Sequence, residues 1–240
     1  MKKLFVLIAA ACMTCTAAFA QTVKPFKEGE RAVFLGNSIT DGGHYHSYIW
    51  LYYMTRFPDM PIRVFNGGIG GDTAYDMNKR LDGDIFAMKP SVLMVTFGMN
   101  DSGYFEYNGD KPKEFGEQKY QESIKNYQQM EKRFKDLPDT RIVMVGTSPY
   151  DETVQLKENT PFKTKNETIK RLVEYQQESA AKNNWEFTDL NAPMTAINQQ
   201  YQQKDPTFTL CGSDRIHPDN DGHMVMAYLF LKAQGFVGRS

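Results

Sequence analysis

Four short segments, far apart in a chain of 240 residues, carry side chains that could combine in acyl transfer. Gly36-Asn37-Ser38-Ile39-Thr40 puts a serine in a tight turn followed by Gly42-Gly43. Such a turn can hold a hydroxyl exposed above a sheet, as a nucleophile requires. The same serine could instead cap a helix, the commoner use of an isolated serine. The segment also departs from the hydrolase elbow G-x-S-x-G, because Ile39-Thr40 stand where a second glycine would follow. Asp214-Arg215-Ile216-His217 follows a different logic. A serine hydroxyl needs a neutral imidazole to take its proton, and the imidazole needs a carboxylate to fix its tautomer and steady its cation. Placing both on one loop, three residues apart, presets that relation. On its own the pair would read as a turn aspartate and a surface histidine beside Pro218.

The other two segments supply anion-stabilising groups. Gly70-Gly71-Asp72-Thr73 closes the glycine run that begins at Asn66, and at Gly71 no side chain stands between the backbone N–H and a substrate. Asn100, in Gly98-Met99-Asn100-Asp101, can bring its amide into the same space, with Asp101 bracing the loop. With the N–H of Ser38 these make three oxyanion donors, the kind of preorganised electrostatics that dominates acyl-transfer catalysis. The alternative is a plain tight turn and a capping pair. The three other histidines are His44, His46 and His223. His44-x-His46 has no cysteine or third histidine at ligand spacing, so a metal site is not expected, and acyl transfer by such residues requires no organic cofactor.

These residues need a frame. Short apolar runs read as strands at Arg31–Gly36, Ile62–Asn66, Ser91–Phe97 and Arg141–Gly146, and Glu186–Asp189 reads as a short fifth. Helical patterns fall between them, at Tyr45–Phe57, Thr73–Leu81 (capped by Asp72), Glu117–Leu137, Lys165–Asn183, Pro193–Gln203 and Asp221–Gln234. Alternating strands and helices imply right-handed βαβ units. The expected fold is a flavodoxin-like three-layer αβα sandwich, about five parallel strands with helices on both faces. Ligands bind such sheets outside the carboxyl ends of the strands, and Ser38, Gly71 and Asn100 each follow one.

Residues 1–20 read as a secretory signal peptide: Lys2-Lys3, an apolar run from Leu4 to Cys12, then Ala18-Phe19-Ala20 before Gln21. The expectation is a periplasmic or extracellular protein whose single domain spans residues 21–240. A lipoprotein anchor at Cys12 ranks second, since no Leu stands three residues before it. Cleavage leaves Cys211 alone of three cysteines, and 26 basic against 29 acidic residues, a formal charge of −3. No internal disulfide can then form. That weak, unpatterned acidity argues against nucleic acid or an anionic membrane as partner, and no stable membrane insertion is expected. Oligomeric state is not legible.

In order and spacing, the four segments resemble the SGNH/GDSL hydrolase family, over nearly the whole chain from Arg31 to the last helix. The resemblance implies that Ser38 is the nucleophile, Gly71 and Asn100 are oxyanion donors, and Asp214 and His217 complete the triad. Asn37 stands where the family's usual motif has Asp. The implied reaction is carboxylic-ester hydrolysis through an acyl-enzyme, on a small-molecule or oligosaccharide ester. Removal of acetyl groups from carbohydrate is the first expectation. A lysophospholipase- or thioesterase-like acylhydrolase is the second, and a non-catalytic carbohydrate-binding module the third. Two long connections, Ser102–Gly116 and Thr147–Asn166, carry aromatic residues beside the expected site. Asn37, Tyr104, Phe105 and Tyr150 are read as substrate-lining, although the rings could equally pin the loops to themselves.

Overall fold

The computed structural model describes residues 22–158 and 160–237, so the expected signal peptide and Cys12 lie outside the described residues. Five parallel strands form one sheet in the order β2-β1-β3-β4-β5. They are β1 (Arg31–Gly36), β2 (Arg63–Gly68), β3 (Val92–Val95), β4 (Arg141–Gly146) and β5 (Glu186–Asp189). The helices are α1 (Ser38–Asp41), α2 (His44–Arg56), α3 (Ala74–Arg80), α4 (Pro112–Lys135), α5 (Lys165–Lys182), α6 (Asn191–Gln202) and α7 (Asn220–Ala233).

The period-two alternation of the strands divides the core into two layers. Ala32, Phe34, Val92, Met94, Val143 and Val145 face α2, α6 and α7, meeting Ile49, Tyr53, Met194 and Phe230. Val33, Leu35, Leu93, Val95, Ile142 and Met144 face the other way, onto Met77, Tyr127, Met130 and Phe134 of α3 and α4. Both faces are apolar, which is why these strands are continuous hydrophobic runs. Each fully buried aliphatic or aromatic side chain contributes about 1.5–3 kcal/mol.

Three elements differ from expectation. β2 extends through Gly67-Gly68, because α1 packs directly on the strand end. A Cβ on Gly68 would lie 2.2 Å from the Asp41 backbone nitrogen. β3 is shorter than the apolar run that announced it, since Thr96 and Phe97 already turn toward the loop. α4 begins at Pro112 rather than Glu117, with proline at its first turn.

The chain order puts the reversal of winding at β1 and β3. The loops leaving these two strands flank the crevice where doubly wound sheets bind ligands. Ser38 follows β1 by two residues and Asn100 follows β3 by five.

Candidate active site

Asn37, not Ser38, caps α1: its side-chain oxygen accepts the N–H of Ile39 at 3.1 Å. Ser38 therefore stands at the first helical position with its hydroxyl committed elsewhere. Its Oγ lies 2.7 Å from His217 Nε2, across 179 residues of sequence. Asn37 is only 2% exposed and turned into its own helix, so it does not line a substrate surface.

His217 Nδ1 lies 2.5 Å from Asp214 Oδ2. The other carboxylate oxygen, Oδ1, accepts the backbone N–H groups of Ile216 and His217, both at 2.9 Å. One side chain thus builds the turn and orients the imidazole. Within that turn Arg215 takes a left-handed conformation, φ +67°. Its buried guanidinium donates to the carbonyls of Asp151 and Val154, tying the turn to the loop after β4.

Electrostatics separate His217 from other histidines. The hydrogen bond to Asp214 raises its pKa above the ordinary imidazole value, against partial burial. Burial pushes Asp214 upward, but the bonds from the His217 ring and the two backbone N–H groups outweigh it and leave the carboxyl below its usual value. Burial pushes His46 down, and takes His223 down to about 4, with nearby imidazoles adding to the effect. His223 stacks on His44 with ring centroids 5.0 Å apart, and His46 Nε2 lies against the Thr40 carbonyl. Among the described residues no group of three or more His, Cys, Asp or Glu side chains could hold a metal ion.

Asn100 donates one Nδ2–H to the carbonyl of Asp72 at 2.9 Å. This holds its carboxamide against the Gly70-Gly71-Asp72 turn, where a Cβ on Gly70 would come within 4.0 Å of Ser38 Cβ. At Gly71 itself an added Cβ would meet nothing within 4 Å, so close approach is not what requires glycine. Its φ of +84° is the requirement. Asp72 does not cap α3: Thr73 does, in a reciprocal capping box with Asp76. Asp72 instead pairs with Arg80 at 2.6 Å, and Arg80 also donates to the carbonyls of Gly67 and Gly36 at the strand ends.

Two residues that hold the Asn100 loop have partners distant in sequence. Asp101, 6% exposed, accepts the N–H of Gly98 and Ala74 and the hydroxyl of Ser123. Lys165 is fully buried and donates to Met99 O at 2.7 Å, Ser102 Oγ at 2.6 Å and Gly103 O at 2.5 Å. Burial pushes its pKa down to about 7, opposed by the charges of Asp101 and Glu152. Sequence reasoning missed Lys165, because a lysine opening a polar helix carries no signal of burial.

The aromatic loops are pinned by their own rings. Phe162 packs against Tyr104, Phe105 and Tyr150 with centroids 5.6–5.9 Å apart. Tyr150 is 1% exposed and its hydroxyl accepts the Phe162 N–H, so it does not line a substrate surface. Tyr104 donates its hydroxyl to Asn100 Oδ1 at 2.5 Å, which commits that group to the loop. Phe105 alone of the three rings is largely open, at 80% exposure.

Residues 34–225 match the GDSL-like Lipase/Acylhydrolase family. The chain belongs to that family. Membership places it among carboxylic-ester hydrolases, which sets aside the non-catalytic binding module. It is 27% identical over 224 residues to an acetylxylan esterase of Geobacillus stearothermophilus, covering 87% of this chain and 95% of that protein. A crystal structure of a catalytic mutant of an acetylxylan esterase from the same organism shares the fold, with TM-score 0.70 and 24% identity over 90% of this chain and 99% of the other. The solved structure of a gut microbial diltiazem-metabolizing enzyme is 85% identical, with TM-score 0.90 over 91% of this chain. This chain spans half the length of that enzyme, 50%.

Proposed function

We propose that this member of the family is an exported serine esterase that removes acetyl groups from secondary ring alcohols, acetylated carbohydrate among them. The hydrogen-bonded line from Ser38 Oγ through the His217 ring to Asp214 carries the reading. His217 Nε2 takes the Ser38 proton as Oγ attacks the ester carbonyl. The negative oxygen of the tetrahedral intermediate is met by the N–H groups of Ser38 and Gly71 and by the free Nδ2–H of Asn100. His217 then protonates the departing alcohol and activates the water that releases acetate. Asp214 keeps the imidazole in the tautomer with its proton on Nδ1.

The relatives support the roles and the acyl group. Catalytic mutants of the Geobacillus acetylxylan esterase replace a serine, an aspartate and a histidine, the last two three residues apart as Asp214 and His217 are. Acetylxylan, the substrate named for the Geobacillus relative, carries acetate esters of secondary alcohols on a saturated ring. The open ring of Phe105 offers an apolar face for such an alcohol.

Hydrolysis of p-nitrophenyl esters of increasing acyl length, with Ser38→Ala as control, tests the reading. Acetate should be turned over fastest and Ser38→Ala should be inactive. Preference for long acyl chains would point to a lysophospholipase- or thioesterase-like enzyme instead. Fractionating cells that express the full chain tests export; a cytoplasmic, uncleaved product would refute it.

A further inference from the structure

Asn100 can serve an oxyanion only if its carboxamide faces the right way. A half-turn about its last side-chain bond would exchange Nδ2 and Oδ1 and present a lone pair where a donor is needed. Two contacts select one orientation. The Asp72 carbonyl can only accept, so it requires Nδ2 on its side. The Tyr104 hydroxyl donates to Oδ1 on the other. Burial, with the nearby charges of Asp101 and Asp214, holds the Tyr104 phenol well above its usual pKa, so it stays a donor.

Tyr104 is itself held in place. Lys165 Nζ sits 3.9 Å from the centroid of its ring, and the same nitrogen fastens the Met99, Ser102 and Gly103 oxygens on either side of Asn100. A bond donated into Oδ1 polarises the amide so that Nδ2–H donates better.

We propose that Tyr104, seated by Lys165, is a positioning residue that fixes and polarises the Asn100 carboxamide for transition-state stabilisation. The inference rests on the oxyanion role assigned to Asn100 above. Tyr104 acts through Asn100 and does not touch the reacting ester.

Tyr104→Phe keeps the ring over Lys165 and against Phe162 and deletes only the hydroxyl. With p-nitrophenyl acetate, kcat should fall about tenfold, as expected for one lost hydrogen bond, with KM and melting temperature unchanged. In an Asn100→Ala background the same substitution should have no further effect on kcat, because the group it positions is gone. Lys165→Met should lower kcat in the same sense; if that variant does not fold, the Tyr104 cycle decides alone. A rise in KM at constant kcat would make Tyr104 a substrate contact and overturn the proposal. Losses that multiply in the double variant would overturn it too. If Asn100→Ala alone leaves kcat unchanged, the oxyanion reading fails first and the positioning role falls with it.

Discussion

Two loops on the same sheet edge are organised in opposite ways. In the turn at Asp214–His217 the catalytic pair is oriented locally, since one carboxylate caps its own turn and orients the imidazole three residues on, and only Arg215 reaches out, to the loop after β4. The loop from Gly98 to Tyr104 is held by groups brought from afar: Ala74 and Asp72 near α3, Ser123 on α4 and Lys165 on α5. A local device survives most damage elsewhere and fails by its chemistry. A loop assembled from three elements should lose shape and activity together.

The largest effect that sharpens this contrast is expected at Asp214→Asn. The asparagine oxygen still accepts the two backbone N–H groups, so melting should change little. Its amide can no longer accept the Nδ1 proton, and kcat should fall by about 10⁴-fold. The pH profile carries the sign. Protonated His217 cannot take the Ser38 proton, so kcat/KM rises with pH through the His217 pKa. Asp214 raises that pKa, placing the acid limb above the ordinary imidazole value of 6.5. In the residual activity of Asp214→Asn the limb should move to lower pH; a limb that stays put would mean that the carboxylate does not steady the cation.

Asn100→Ala should come next, with kcat down about 10²–10³-fold and KM little changed. Asp101→Asn should be smaller but of both kinds. It replaces one acceptor with a donor among buried N–H groups, costing about 2 kcal/mol of stability, and kcat should drop with it. Equal melting temperatures for Asp101→Asn and wild type in calorimetry would break the contrast between the loops. The smallest effect is Tyr150→Phe, which leaves the Phe162 N–H without its acceptor. About 1 kcal/mol of stability should be lost with steady-state kinetics unchanged, as befits a ring that pins loops.

What was legible in the sequence follows the same division. β1 and β4 begin and end where their apolar runs do, because burial on both faces writes itself into consecutive residues. The three-residue spacing of Asp214 and His217 was legible because the device is local. β2 was read short, since glycine argues against a strand unless the helix packed on it is known. Asn37 and Tyr150 read as substrate-lining from residue type, although both are buried. Residue type gives polarity, but only the packed neighbours decide whether a hydroxyl or amide faces substrate or a backbone N–H. Lys165 lies furthest from legibility: its three acceptors are more than sixty positions away.

The central claim is that Ser38 is the nucleophile, driven by His217. Labelling the intact protein with a phosphonate ester that traps serine nucleophiles, followed by peptide mass spectrometry, tests it most directly. One adduct on Ser38 is predicted, absent from Ser38→Ala and strongly slowed in His217→Ala. An adduct on any other residue, or undiminished labelling of Ser38→Ala, would contradict the account.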